Sequence, residues 1–373
     1  MGPGRRLPGR DRCATLSGMA PEAAEHHGTD GPTMRAWAVR TPGPVASSPL
    51  VEVRRGRPVP DVGEVLLRVS ACGLCRTDLH LAEGDLPPRR AGTVPGHQVV
   101  GRVVGSGAGQ SRFVDGDRVG VAWLRGTCGQ CRWCRGGAEN LCPDSTYTGW
   151  DADGGFAEYA VVPAAFAYRL PEGPSDTALA PLLCAGIIGY RALRRAELPA
   201  GGRLGVYGFG SSAHITAQVA RARGAELYVV TRGDTGAELA RALGAAWTGG
   251  PGEQPPASLD AAIVFAPAGE LVPEALAAVG RGGTVALAGI HMTDVPGLDY
   301  DRHLFLEKTL TSITANTRAD GEELLKLAPR LGVEVHVTEY AFGEVDRALA
   351  DLADGRLSGS AVITGFPGAS GLR

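Results

Sequence analysis

Residues Arg203 to Asp234 read RLGVYGFGSSAHITAQVARARGAELYVVTRGD. An apolar run, Leu204 to Tyr207, enters a glycine turn, an amphipathic stretch follows over Ala213 to Arg223, and a second apolar run spans Leu227 to Thr231. Strand, turn, helix and strand in that order form a βαβ unit with a parallel pair of strands. Gly208, Gly210 and Ala213 make GxGxxA at the strand-to-helix junction. Glycines there let the backbone approach a pyrophosphate, and the helix amino terminus offers it free N–H groups and a partial positive charge. The alternation continues through Glu238 to Leu243, Ala261 to Phe265 and Thr284 to Ala288, which extends the expected parallel α/β sheet. A site for NAD(H) ends its second strand in Asp or Glu to bind the ribose hydroxyls. Thr231 and Arg232 stand there instead, and a guanidinium can face a phosphate, so NADP(H) is expected in preference to NAD(H). Asp234 keeps NAD(H) open if the loop folds back.

Upstream the character differs. From Met34 to about Cys184, short apolar runs such as Met34 to Val39, Val65 to Val69, Val99 to Val104 and Arg118 to Trp123 alternate with Gly, Pro and Asp turns, as in a β-rich domain. Downstream, the tail from about Asn316 returns to mixed character, with an amphipathic stretch at Glu322 to Leu331. Residues 1–33 are rich in Gly, Pro, Ala and Arg, show no periodicity and are expected to be disordered, which makes Met34 a second candidate start of translation. The interleaved Gly and Pro would break the amphipathic helix of a transit peptide, and no apolar core of a signal peptide is present. The expected location is therefore cytoplasmic.

A length of 373 residues suits two domains. With 44% hydrophobic residues, 21% charged residues and a net charge of −3, the chain has no basic excess for nucleic acid, and no window nears the roughly 18 apolar residues that span a bilayer. Neither a nucleic-acid nor a membrane partner is expected.

Of eight cysteines, Cys13 stands apart in the opening stretch and six fall between Cys72 and Cys142, a clustering that points to metal or redox chemistry. Cys128, Cys131, Cys134 and Cys142 form CxxCxxCx7C in a Gly-rich loop. Four thiolates at about 2.3 Å fill a zinc ion's tetrahedral shell, so this site should be structural. An iron–sulfur cluster is the alternative, although seven residues before the fourth cysteine depart from the bacterial spacing. Three further segments carry ligand types: CGLCRTDLH at Cys72 to His80, PGHQVVG at Pro95 to Gly101, and APLLCAGIIGY at Ala180 to Tyr190. Spacing alone does not choose between Cys72 and Cys75, which could also be a redox CxxC pair, and Cys184 could be an ordinary core cysteine.

These segments, in this order and with the four-cysteine lobe between the second and third, resemble the zinc-dependent medium-chain alcohol dehydrogenases, and the resemblance covers the chain from Met34 onward. It implies a GroES-like, β-barrel-type catalytic domain over residues 34–185, a Rossmann doubly wound dinucleotide-binding domain over 186–315, and a return to the catalytic domain over 316–373. It also implies two zinc ions per chain. Cys75, His97 and Cys184 match the Cys2His set of the catalytic ion, which leaves one position open for substrate oxygen. Zinc there would act as a Lewis acid while hydride passes to or from the nicotinamide. Thr77 and His80 match the family's proton relay, and Asp78 matches the carboxylate that orients the histidine ligand. His80 could instead be a surface-loop histidine. Asn316 and Arg318 resemble a segment in which an arginine meets the cofactor.

One departure is Gln98, where the family commonly has Glu next to the ligand histidine; it removes a negative charge beside the metal and a carboxylate able to assist ligand exchange. The implied activity interconverts a small-molecule alcohol and an aldehyde or ketone, in a homodimer or homotetramer. Leu79, Trp123 and Leu304 are candidate pocket positions, and the strand Val285 to Ala288 is a candidate for sheet extension across a dimer. Two alternatives are a zinc-free quinone or enoyl reductase of the same superfamily, which would lack the catalytic ligands, and a zinc-ribbon regulatory or binding protein with a Rossmann sensor domain.

Overall fold

The computed structural model describes residues 31–367. Residues 1–30, and with them Cys13 and nearly all of the segment expected to be disordered, lie outside the described residues. The first strand, β1 (Thr33–Val39), pairs antiparallel with β2 (Leu50–Gly56). There follow β3 (Glu64–Leu74), α1 (Arg76–Glu83), β4 (Gln98–Ser106), β5 (Arg118–Val121), β6 (Leu124–Gly126), α2 (Arg132–Arg135), β7 (Thr146–Tyr147), β8 (Tyr159–Pro163), β9 (Ala167–Arg169), α3 (Asp176–Leu179) and α4 (Ala185–Arg195). The second half contains β10 (Arg203–Tyr207), α5 (Ser211–Ala222), β11 (Glu226–Val230), α6 (Asp234–Ala242), β12 (Trp247–Gly249), β13 (Leu259–Val264), α7 (Leu271–Ala278), β14 (Val279–Leu287), α8 (Tyr300–His303) and β15 (Thr309–Ser312). The tail adds α9 (Arg318–Arg330), β16 (Val337–Ala341), α10 (Val345–Ala353) and β17 (Ser360–Thr364).

The expected parallel sheet is present, in the order β12-β11-β10-β13-β14-β15. This is the strand order of a doubly wound dinucleotide-binding sheet, and the order reverses between β10 and β13, where such sheets bind ligands outside the carboxyl ends of their strands. Its strands read as unbroken apolar runs because both faces are covered. Ala261 and Ile263 of β13 face one core, while Leu259, Ala262 and Val264 face another. One expectation needs correction: the Val285 to Ala288 strand cannot extend the sheet across a dimer, because β14 is hydrogen-bonded to β13 on one side and β15 on the other. The free edge on that flank is β15.

The β-rich half is the GroES-like sheet β16-β17-β3-β4-β5-β9, with β8 also on β3. Register shifts between Leu66 and Leu67 and between Val69 and Ala71 bend β3, as bulges do. The tail re-enters this half through β17, antiparallel to β3, whereas α9 packs against α4. A single apolar core runs from Ala71, Val100 and Val362 of the catalytic sheet through Ile187 of α4 to Val206 of β10, so the two halves share an interior.

Candidate active site

Cys75 is the cap residue of α1, and Asp78, three residues on, closes the capping box: its Oδ2 accepts the Cys75 N–H at 2.9 Å. The other oxygen, Oδ1, accepts the Gly96 N–H at 2.9 Å and lies 3.5 Å from His97 Nδ1, which has no closer partner. One buried carboxylate thus spans two of the three segments that supply donors. Gly96 has φ +93°, and a Cβ there would fall 2.7 Å from the Phe156 ring and 2.9 Å from Cys72 Sγ, so only glycine fits the turn before His97. Cys184 caps α4.

These elements bring Cys75, His97 and Cys184 together. His97 Nε2 lies 3.5 Å from Cys75 Sγ and 3.3 Å from Cys184 Sγ. Tetrahedral zinc, with bonds of about 2.3 Å to sulfur and about 2.0–2.1 Å to nitrogen, requires S···N separations of about 3.5 Å. The trio fits the ion. Cys72 does not join it: its thiol is fully buried in the apolar core, and burial pushes its pKa well up. The choice left open by spacing therefore falls on Cys75. The hydrogen bond from the Cys184 thiol holds Cys75 well below the ordinary thiol range against the cost of burial, and the same bond holds Cys184 well above it. Burial opposes charge on His97, yet the Cys75 thiolate and Asp78 hold its pKa up at about 10.

The second group, Cys128, Cys131, Cys134 and Cys142, has Sγ···Sγ distances of 3.5 Å for 128–142 and 131–134 and 4.0 Å for 128–134. A tetrahedral four-thiolate shell requires about 3.8 Å. The lobe is tied to the rest of the chain by Asn140, whose amide donates to the Thr314 carbonyl, and by Glu139.

Around the trio, Thr77 is buried two residues from Cys75, and its side chain helps to hold the Cys75 thiol's pKa down. His80, one turn along α1, pairs through Nδ1 with Asp85 at 3.0 Å, which leaves Nε2 without that partner. Its ring is 5.3 Å from that of His291, carried by the loop after β14. Trp123 sets its edge against His97 at 5.0 Å and stacks on Tyr147 at 4.9 Å and on Trp150 at 6.0 Å, with Arg89 over the Trp150 ring at 3.8 Å. Leu79 is instead a residue of the catalytic core, 3% exposed. Leu304 is half-buried after α8. Gln98 is buried; its Oε1 fills the space beside Gly73, where a Cβ would come within 2.6 Å, and its Nε2 has no partner among the described residues.

At the carboxyl end of β10, Gly208 has φ +88° and lies so close to the β13 exit that a Cβ would meet the Ala266 N at 2.8 Å. Gly210 caps α5 and faces open space, and Ala213 is buried at the start of that helix. Thr231 donates its N–H to the Gly249 carbonyl at the end of β11, and Arg232 is exposed with no hydrogen bond or ion pair among the described residues. Asp234 opens α6.

Two tail residues lie elsewhere than the resemblance implied. Arg318 is committed to Glu139, with contacts of 2.6–3.1 Å, and stacks over Phe166. Asn316 is buried against the Tyr168 hydroxyl. Their side chains fasten α9 to the four-cysteine lobe and the catalytic sheet. Reading the sequence missed His291, Tyr147, Trp150 and the exposed Arg76, which has no side-chain partner among the described residues; only Arg76, directly after Cys75, carried a signal there.

Comparison with known proteins agrees with this geometry. Residues 61–172 match the family described as alcohol dehydrogenase GroES-like domain, and residues 213–330 match that described as zinc-binding dehydrogenase. The chain is 58% identical to the "Probable alcohol dehydrogenase AdhA" of Mycobacterium tuberculosis, over 89% of this chain and 97% of that one. It resembles the solved cinnamyl alcohol dehydrogenase of Sorghum bicolor with a TM-score of 0.81 at 28% identity, covering 89% of this chain and 98% of that one. A cobalt- and zinc-bound thermostable alcohol dehydrogenase from Pyrobaculum aerophilum is similar at 27% identity and a TM-score of 0.81, over 89% and 99% of the two chains.

Proposed function

Because the chain belongs to the zinc-dependent medium-chain dehydrogenase/reductase family, we propose that it is an NAD(P)-linked alcohol dehydrogenase and aldehyde or ketone reductase that prefers NADP(H) and holds two zinc ions. The observation that carries this reading is the trio Cys75, His97 and Cys184, three donors at zinc spacing with a fourth position left for substrate. Zinc bound there supplies Lewis-acid polarisation of a substrate oxygen, and a nicotinamide supplies or accepts the hydride.

The chain's own residues do the rest. Asp78 holds Cys75, Gly96 and His97 in one arrangement. Thr77 and His80 sit one turn apart on α1 and supply the hydroxyl and imidazole of a proton relay, His80 being oriented by Asp85. Trp123, backed by Tyr147 and Trp150, gives the substrate a flat apolar wall beside His97, which suits aromatic or branched carbonyl compounds. Gly208, Gly210 and Ala213 bring α5 up to the pyrophosphate, Thr231 ends the second strand, and Arg232, without a partner among the described residues, is available to a ribose 2′-phosphate. The Cys128–Cys142 lobe holds the structural ion.

The test follows absorbance of reduced nicotinamide with zinc-loaded protein, NADPH or NADH, and a panel of short, branched and aromatic aldehydes. Aldehyde-dependent loss of NADPH, faster than loss of NADH, is expected. Cys75→Ala should abolish it and lower the metal content from two ions per chain to one. A protein carrying both metals that turns over no member of the panel would overturn the reading.

A further inference from the structure

Ser211, His214 and Gln218 share one face of α5, being three and four residues apart, and that face is hydrogen-bonded to the tail. Ser211 Oγ lies 2.6 Å from Ser360 Oγ. His214 Nε2 accepts the His336 N–H at 3.3 Å. Gln218 and Glu334 form a reciprocal pair, the amide donating to the Glu334 carbonyl at 2.7 Å and accepting its N–H at 2.8 Å. Glu334 and His336 lead into β16 and Ser360 opens β17, both strands of the catalytic sheet. A polar seam thus joins the first helix of the dinucleotide fold to the half that carries the metal donors.

His214 is its centre. Its Nδ1–H donates to the Gly210 carbonyl at 3.2 Å, and Gly210 is the cap residue of α5 within the GxGxxA turn. This bond fixes the tautomer, leaving the lone pair on Nε2 where the His336 N–H arrives. The ring is fully buried, and burial, with His336 nearby, lowers its pKa to about 4, so at neutral pH it is uncharged and can accept that bond. One imidazole therefore connects the glycine that a pyrophosphate would approach to the backbone of the catalytic half.

We propose that His214 is a positioning residue for the dinucleotide, holding the Gly210 turn at a set height against the catalytic sheet. The proposal rests on the reading of the Gly208–Ala213 turn as the dinucleotide site. Loss of the bond to His336 lets the turn shift, and the α5 N–H groups then meet the pyrophosphate less well while the chemistry at the metal is untouched.

Two conservative variants separate the limbs of the imidazole. His214→Asn keeps a donor near the Nδ1 position for the Gly210 carbonyl but is too short to reach His336, and His214→Gln places its amide near Nε2 and restores an acceptor. Calorimetric titration of NADPH and NADH into the zinc-loaded protein, with melting temperatures alongside, should show His214→Asn binding its better dinucleotide roughly tenfold more weakly and His214→Gln within about threefold of the unmodified protein, as expected for one buried hydrogen bond. In turnover, His214→Asn should raise the KM for dinucleotide and leave kcat within about threefold. Unchanged affinity in His214→Asn, or equal losses in both variants that track their melting temperatures, would show the seam to be structural only. If the unmodified protein binds neither dinucleotide, the reading of the turn fails and this role fails with it.

Discussion

Arg232 makes no hydrogen bond or ion pair among the described residues. Some exposed arginines of the second half find partners, as Arg203 does in Glu226, whereas Arg281, Arg302 and Arg232 have no side-chain partner among the described residues; what distinguishes Arg232 is its place at the end of β11, next to the cap glycine of α6. A cation left unpaired where a ribose would lie suits a phosphate, and a charge-assisted contact of that kind contributes about 1.5–3 kcal/mol. Arg232→Ala is therefore expected to raise the Kd for NADPH by roughly ten- to a hundredfold and to change that for NADH by less than twofold. Equal effects on the two would return the choice to Asp234, the first residue of α6. Stability should hardly respond, because the removed side chain makes no bond among the described residues.

The four-cysteine lobe acts as an element fastened at two ends. Its four thiols lie at the spacing of a metal shell, and Glu139 and Asn140, beside Cys142, reach Arg318 at the start of α9 and the carbonyl of Thr314 after β15. Asp320, in the first turn of α9, is held in turn by Arg191 and Arg194 of α4. Cys134→Ser is expected to lower the metal content from two ions to one, to leave the Cys75–His97–Cys184 site loaded, and to lower the melting temperature by roughly 5 °C or more as the Glu139–Arg318 anchor loosens. Retention of both ions would assign the lobe another role. The knuckle and the glycine turn were legible in sequence because their chemistry demands particular residues at short spacings, whereas Cys75, His97 and Cys184, separated by 22 and 87 residues, were legible only through the family resemblance. Arg318 was not: its partner is 179 residues away, and nothing local says that Glu139 will face it. The seam around His214 was hidden in the same way, since nothing local to the polar face of Ser211, His214 and Gln218 says that backbone from residues 334–336 will cover it. The aromatic wall was half visible, as Trp123 alone, because Tyr147 and Trp150 arrive from a loop beyond the lobe.

At the scale of the whole molecule, the question is what covers the open flank of the parallel sheet. β14 lies inside the sheet, so the edge strand is β15, bonded to β14 on one side. An unprotected edge is a template for pairing with another chain, and proteins that stay monomeric cover or charge it. Here the segment between β14 and β15 does the opposite: Ile290 is 59% exposed, Tyr300 64% and Phe305 59%, with the two aromatic rings 5.7 Å apart. Apolar groups of that size beside a free edge suit burial against a second copy of the chain. We therefore expect a homodimer built across this flank, with a tetramer as a further assembly of such dimers. Light scattering on the eluting protein should give a dimer or its multiple for the unmodified chain and a monomer for Tyr300→Asp combined with Phe305→Asp, with an unchanged circular dichroism spectrum. A double variant that keeps the original mass would move the interface to another face. A monomeric unmodified chain would leave these three residues to be explained by substrate or lid contacts at the carboxyl end of the sheet.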